Sequence, residues 1–160
     1  MQRDFPPKSV LVLGCGNILR GDDGFGPTVI RHLQKNYPLP KHVLALDVGT
    51  RLWEFLLDLM LSERKPEKII IVEAVSDSGH RPGEVFEIPV ENLSDQEIGN
   101  FSAHLFPSSH VLRKLKEFTG VDLILLMVQV QEIPAEIKEG LTPAVAAAVE
   151  KACQQILRNI

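Results

Sequence analysis

Cysteine is scarce in this chain of 160 residues, which has two of them, Cys15 and Cys153, near opposite ends. Their separation, with no Cys-x-x-Cys spacing, excludes a disulfide-stapled scaffold and a cysteine-rich zinc site. Two isolated thiols are compatible with a reducing compartment, and we expect the protein to be cytoplasmic.

Long apolar runs and an excess of positive charge are also missing. The longest nearly uncharged apolar run, from Leu123 to Val130, is far shorter than a membrane span. Residues 1–8 lack the long apolar core of a signal peptide. The formal net charge is −4, and no basic stripe is interleaved with aromatic residues. These features argue against membrane and nucleic-acid partners.

Apolar, β-branched runs alternate with amphipathic helical patterns along the whole chain, whose length suits a single domain over residues 1–160. This alternation implies right-handed βαβ crossovers and a mainly parallel sheet covered on both faces. We predict a three-layer α/β/α domain with a twisted five-stranded sheet between helices, with the Pro-bounded segment Glu84–Ile88 as an antiparallel edge strand. The other predicted strands are Ser9–Leu13, His42–Leu46, Lys68–Val72 and Asp122–Val130, and the predicted helices are Gly24–Asn36, Leu52–Ser62, Ser108–Phe118 and Pro143–Arg158.

The segment that follows the first predicted strand is unusual. It begins with Gly14 and Gly16, as the loop of a nucleotide-binding module would, but position 19 is Leu rather than a third glycine. The adjacent carboxylates Asp22 and Asp23 would repel a pyrophosphate and attract a cation. We therefore expect no nucleotide cofactor. A purely structural alternative is that one aspartate caps the following helix.

Polar residues follow several predicted strands, and the carboxyl ends of neighbouring parallel strands share one edge of a sheet. Asp47 comes after the second strand and could equally form a turn before Gly49. Glu73 adjoins a buried apolar run, and a buried carboxylate is costly without a partner, so a functional role is favoured. The polar residues that we expect at this edge are Asn17, Asp22, Asp23, Asp47, Thr50, Glu73, Gln129, Gln131 and Glu132.

An imidazole would complete such a carboxylate set for a divalent metal. His104 and His110 both lie in or just after the loop that precedes the third predicted helix, and the sequence leaves both open as ligands. His32, His42 and His80 are interpreted as surface residues.

Seven short blocks, in order, resemble the [NiFe]-hydrogenase maturation endopeptidases over nearly the whole chain. They are Gly14-Cys15-Gly16-Asn17, Asp22-Asp23-Gly24-Phe25-Gly26, Asp47-Val48-Gly49-Thr50, Glu73-Ala74, Pro82-Gly83-Glu84, Ser102-Ala103-His104 and Gly140-Leu141-Thr142-Pro143. The resemblance implies an endopeptidase that removes the C-terminal peptide from the nickel-loaded precursor of a hydrogenase large subunit. A cytoplasmic hydrogenase of the F420-reducing type is the expected substrate source, and the peptidase is expected to be a monomer.

By the same resemblance, Asp23, Glu73 and His104 form the catalytic, metal-binding triad. The metal is the nickel carried by the substrate, and zinc, cadmium or calcium can take its place in vitro. Asn17, Asp22, Asp47, Gly49, Thr50 and His110 would then orient the ligands or line the substrate pocket.

Two departures from the family pattern affect this assignment. The family commonly has Asp where this chain has Glu73, which moves the carboxylate outward by one methylene group. His110 has a Ser-His context like that of His104, but His104 is preferred because Pro107 and the following helix then fall where the family has them. The alternative function is a non-catalytic nickel-site chaperone, which would hold the same precursor without cutting it.

Overall fold

The structure, a computed structural model, describes residues 5, 6, 8–101 and 106–160. The strands are β1 (Val10–Cys15), β2 (Val43–Gly49), β3 (Lys68–Val75), β4 (Val85–Ile88) and β5 (Asp122–Gln129). The α-helices are α1 (Phe25–Asn36), α2 (Leu52–Leu61), α3 (Asp95–Ile98), α4 (Ser109–Thr119) and α5 (Pro143–Leu157). None of the helices in this described part is long and apolar enough to cross a bilayer.

The five strands form one sheet in the order β2-β1-β3-β5-β4. The first four of these are parallel to their neighbours, and β4 pairs with β5 in the antiparallel direction at the edge. Parallel neighbours need a crossover, which the intervening helices provide. The predicted mainly parallel sheet with one antiparallel edge strand is therefore confirmed.

Alternating side chains of the central strands supply two separate cores. Leu11 and Leu13 of β1 pack with α2 and α4 on one face, which we call the α2/α4 face. Val10 and Val12 pack with α1 and α5 on the other, the α1/α5 face. The period of two along each strand produces this division. It places the sheet between two helical layers, as predicted.

Three strands continue further than predicted. β1 ends at Cys15 and β2 at Gly49, while β3 continues to Val75 because its pairing with β5 extends to the pair Val75–Gln129. Consequently Glu73 lies within a strand instead of following it. The short helix α3 was not predicted.

Candidate active site

Close backbone contacts position the loop that follows β1. A Cβ on Gly26 would lie 2.3 Å from the carbonyl oxygen of Cys15 and 2.6 Å from that of Val72. Glycine therefore lets the start of α1 touch both β1 and β3. A Cβ on Gly16, whose φ is +133°, would lie 1.9 Å from the carbonyl oxygen of Asp23. These contacts hold the 3-10 turn Gly21–Gly24, with both aspartates, at the carboxyl end of β1.

Asp22 is fully buried and is surrounded by hydrogen-bond donors from the segment between β5 and α5. Its carboxylate accepts from the backbone N–H of Gln131 (2.9 Å), Glu132 (3.3 Å) and Thr142 (2.7 Å), and from the Thr142 hydroxyl (2.9 Å). The prediction that Asp22 or Asp23 caps the next helix is wrong, since neither the 3-10 turn nor α1 has a side-chain cap. Asp22 instead joins two loops that are more than 100 residues apart in sequence.

Asp23 is also fully buried, and its side chain faces the start of its own loop. Its Oδ2 accepts from the backbone N–H of Asn17 at 3.2 Å. Asn17 itself is half-buried, and its Oδ1 accepts from the N–H of Leu19 at 2.9 Å. The loop therefore folds around the Asp23 carboxylate.

Glu73 lies inside β3 with none of its surface exposed. Its Oε1 accepts from the backbone N–H of Ala74 at 2.8 Å. On one side Glu73 pairs with Met127 of β5. On the other side Val72 pairs with Gly14 of β1, so Glu73 is next to Cys15, the residue after Gly14. Because side chains alternate along a strand, Glu73 shares the α2/α4 face with Ile71.

The buried Cys15 thiol is affected by the charges of both Glu73 and Asp23. Burial raises its pKa well above the usual value, and the negative charges of Glu73, Asp47 and Asp23, in that order, raise it further. A charge perturbs a buried thiol in this way only from nearby. Glu73 and Asp23, which are 50 residues apart in sequence, therefore lie at the same end of the sheet.

Asp47, at the end of β2, has a structural role. It is exposed, and its Oδ1 accepts from the N–H of Gly49 at 3.0 Å, which confirms the turn-forming interpretation. Its Oδ2 lies 3.7 Å from a guanidinium nitrogen of Arg31. Gly49 has a φ of +55° and accepts through its carbonyl from the N–H of Gly16 at 2.9 Å, and Thr50 is half-buried beside it.

His104, the preferred imidazole ligand, lies outside the described residues. Within those residues no group of three or more His, Cys, Asp and Glu side chains is arranged to hold a metal ion. The flanking positions are described: Phe101 forms an antiparallel bridge with Val75, and its ring contacts that of Phe106 edge-on with centroids 4.8 Å apart. His110, the alternative ligand, is an exposed residue in the first turn of α4.

The sequence reasoning missed two contributors to this region. Cys15 was considered only as a possible disulfide partner. However, positions 11, 13 and 15 lie on the same face of a strand, so Cys15 shares the buried face of Leu11 and Leu13. Thr142 occupies the N-cap position before α5, but its side chain makes no cap and donates to Asp22 instead. Nothing in the local sequence indicates that partner.

Comparison with known proteins identifies the family of this chain. The family model for hydrogenase maturation protease matches residues 27–159. The chain is 36% identical to the coenzyme F420 hydrogenase subunit delta of Methanothermobacter thermautotrophicus, over 94% of each chain. It is 33% identical to the hydrogenase 2 maturation protease of Escherichia coli, over 92% of this chain and 88% of the relative.

Solved structures give the same result. The hydrogenase maturating endopeptidase HybD of E. coli superimposes with a TM-score of 0.68 at 32% identity, covering 94% of this chain and 91% of that one. Sequence and fold thus agree over almost the full length. The chain belongs to the hydrogenase maturation protease family and is an endopeptidase.

Proposed function

We propose that this endopeptidase removes the C-terminal peptide from the precursor of a [NiFe]-hydrogenase large subunit, and that it recognises the nickel already inserted in that precursor. The observation that carries the proposal is the pair of fully buried carboxylates, Asp23 and Glu73, whose charges both act on the Cys15 thiol. A divalent cation would offset the cost of burying two negative charges at one place.

His104 is the third ligand in this proposal. Phe101, the last described residue before His104, is bridged to Val75, which is two residues beyond Glu73 in β3. Three residues of chain can span up to about 10 Å, which is enough to bring residue 104 to Glu73. Two carboxylates and an imidazole form an oxygen and nitrogen donor set that suits nickel and zinc.

In this mechanism the carboxylates of Asp23 and Glu73 anchor the precursor through its nickel. The bound nickel holds the C-terminal segment of the precursor against the enzyme. The peptide bond that is hydrolysed lies within that segment. The Asn17 N–H holds Asp23 in position through its bond to Oδ2. A precursor without nickel offers no anchor, so it should not be cut.

An F420-reducing hydrogenase is the proposed source of the substrate. The support is the 36% identity to the coenzyme F420 hydrogenase subunit delta over 94% of both chains. Incubating the enzyme with nickel-loaded precursors of F420-reducing and of other hydrogenases would test this preference. Equal rates on all of them would contradict it.

The main experiment compares two histidine variants on nickel-loaded and nickel-free precursor, with cleavage measured by mass spectrometry. His104→Ala should leave the loaded precursor uncut, whereas His110→Ala should cut it at the wild-type rate. Cleavage of nickel-free precursor by the wild type would contradict nickel recognition. Loss of cleavage in His110→Ala alone would transfer the ligand role to that residue.

The cytoplasmic location and the monomeric state expected from the sequence stay predictions. Sedimentation of the purified enzyme and fractionation of its native cells would test them.

A further inference from the structure

The strand β4 ends the sheet, so one of its sides has no neighbouring strand among the described residues. The N–H of Gln129 donates to the carbonyl of Glu84 at 3.0 Å, and Val85 lies opposite Val128. In an antiparallel pair the hydrogen-bonded and non-bonded positions alternate. Phe86 therefore directs its backbone groups toward β5, while Val85 and Glu87 direct theirs toward the open side.

These outward groups can bind another extended chain. Two residues provide two N–H donors and two carbonyl acceptors, a set that matches a short peptide added as a further strand. β4 has four residues and is followed directly by Pro89, which cannot extend the ladder. An edge this short is poorly suited to pairing two whole proteins.

A cavity of about 300 Å³ lies beside this edge on the α2/α4 face of the sheet. Its apolar lining comes from Val75, Phe86, Ile88 and Phe101. The His80 ring stacks on Phe86 with centroids 3.8 Å apart and an angle of 9° between the planes. The remaining lining residues are mostly polar, and the apolar part of the lining suits one apolar side chain.

The wall of the cavity is held in place by the end of β5. The side-chain oxygen of Gln129 accepts from the N–H of Ser78 at 3.0 Å, and its backbone carbonyl accepts from Gly83 at 2.8 Å. His80 is in turn fixed by Glu84, 3.0 Å from its Nδ1. The pocket is therefore formed before any ligand arrives.

The cavity lies near the proposed active site along β3. Val75, in its lining, is two residues beyond Glu73 in β3 and on the same face, a distance of about 7 Å along the strand. Phe101, which is bridged to Val75 and also lines the cavity, is three residues before His104 in sequence. A strand added at β4 would lie three strand spacings, about 14 Å, from β3, a distance that roughly four or five extended residues could cover to reach Glu73.

From these observations we infer that the open side of β4 binds an extended segment of the precursor next to the cut as a sixth strand, with one apolar side chain in the adjoining cavity. This inference rests on the proposed function for its substrate. Side chains of an added strand alternate between faces, so the next residue would face the groove of about 610 Å³ between β4 and α5. That groove is lined by charged residues, including Glu150, Lys151 and Arg158, and it suits a polar side chain.

The first test removes the outward donors. Val85→Pro and Glu87→Pro each delete an N–H that faces the open edge, where proline is tolerated. We expect KM for nickel-loaded precursor to rise at least about tenfold with kcat nearly unchanged, because main-chain bonds supply the affinity. Glu87→Ala is the matched comparison, since it keeps the N–H while it also loses the side-chain contact with Gln155; KM of Glu87→Pro should exceed KM of Glu87→Ala by at least about tenfold.

The second test addresses the cavity from its rim. Asn92→Trp should fill it, so KM for the same precursor should be higher in Asn92→Trp than in Asn92→Ala, which leaves the cavity open. Asn92 is exposed and contributes to the lining, so a larger side chain there need not disturb the core. Unchanged KM in the tryptophan variant would show that no substrate side chain uses the cavity.

Amide hydrogen exchange of the wild-type enzyme separates this inference from the proposed function. Saturating nickel-free precursor, which should not be cut, is expected to slow exchange at Val85 and Glu87 by at least about tenfold. Protection without any cleavage of loaded precursor would overturn the proposed function and support the edge as a binding site. Cleavage with unprotected amides and unchanged KM in both proline variants would overturn the inference alone. If the proline variants fail to fold, the exchange measurement decides.

Discussion

Asp22 and Asp23 are adjacent and equally buried, yet they face different parts of the molecule. The Asp22 carboxylate accepts from three backbone amides and one hydroxyl of the segment between β5 and α5. The Asp23 carboxylate accepts from Asn17 and acts on the Cys15 thiol beside Glu73. Burial alone therefore does not identify a functional carboxylate; its surroundings do.

The two aspartates differ in how the surrounding groups compensate for their negative charge. Several converging donors compensate for the lost hydration of Asp22, so this carboxylate can hold two loops together. Asp23 and Glu73 place two like charges at one end of the sheet, an arrangement whose repulsion raises the free energy of the folded protein and which a bound cation would relieve. The first arrangement favours stability and the second favours binding.

The largest expected effect is on catalysis by Asp23→Asn. Cleavage of nickel-loaded precursor should fall roughly 10²–10³-fold, as for removal of one electrostatic group from an active site. The free energy of unfolding should stay within about 1 kcal/mol of the wild type, because the amide keeps the shape and removes a buried charge. Mass spectrometry of the precursor and urea unfolding measure the two quantities. Normal cleavage would remove Asp23 from the site.

Asp22→Asn should show the opposite pattern. The side-chain amide of the new asparagine would direct its own N–H groups at the backbone N–H donors that now bind Asp22. We therefore expect the free energy of unfolding to fall by about 2–4 kcal/mol. Cleavage by the folded fraction should remain within a few-fold of the wild type. Urea unfolding at constant temperature checks the first value. A stable but inactive Asp22→Asn protein would contradict the division between the two aspartates.

Glu73 offers an intermediate test with two substitutions. Glu73→Gln should lose cleavage as Asp23→Asn does, while Glu73→Asp should retain it within about tenfold, because a carboxylate remains one methylene further back. The shorter side chain should also lower the free energy of unfolding by about 1 kcal/mol through the space it leaves. Equal activity in both variants would show that no charge is needed at this position.

The smallest effect concerns the pKa of Cys15. Since Asp23 raises it and Asp22 is not among the charges that do so, Asp23→Asn should lower this pKa and Asp22→Asn should leave it unchanged. A thiol whose pKa is raised by folding stays protonated while the unfolded chain ionises, so stability falls as pH rises above the usual thiol value of about 8.5.

Raman titration of the S–H groups in the folded variants, in reductant, should show Cys15 ionising at lower pH in Asp23→Asn than in Asp22→Asn. Cys153, whose pKa burial and Glu150 raise to about 11, contributes equally to both variants and cancels. Identical titration curves would mean that the Asp23 charge does not reach Cys15.

Much of the fold could be predicted from the sequence because its causes are local. Apolar alternation located all five strands, and the Pro-bounded character of the segment around Val85 indicated its edge position. The ends of β1 and β3 could not be predicted, since pairing with neighbouring strands decides how far each continues. For this reason Glu73 was expected after β3 and lies within it.

The candidate site was predictable to the same extent. The convergence of Asp23 and Glu73 followed from topology, because the carboxyl ends of parallel strands meet at one edge. The partners of Asp22 could not be predicted, since Gln131 and Thr142 are 109 and 120 residues away and nothing near Asp22 specifies them. The helix-cap interpretation failed because it considered only local partners.

The bonds between Asp22 and the residues just before α5 have a consequence for biosynthesis. During synthesis the turn that contains Asp22 and Asp23 is translated long before Thr142. The hydrogen bonds from Thr142 to Asp22 therefore cannot form until synthesis is nearly finished. Contacts of such long sequence separation form late in folding. The active site of the peptidase would therefore form only when the chain is almost complete, and nascent fragments would not cleave neighbouring proteins.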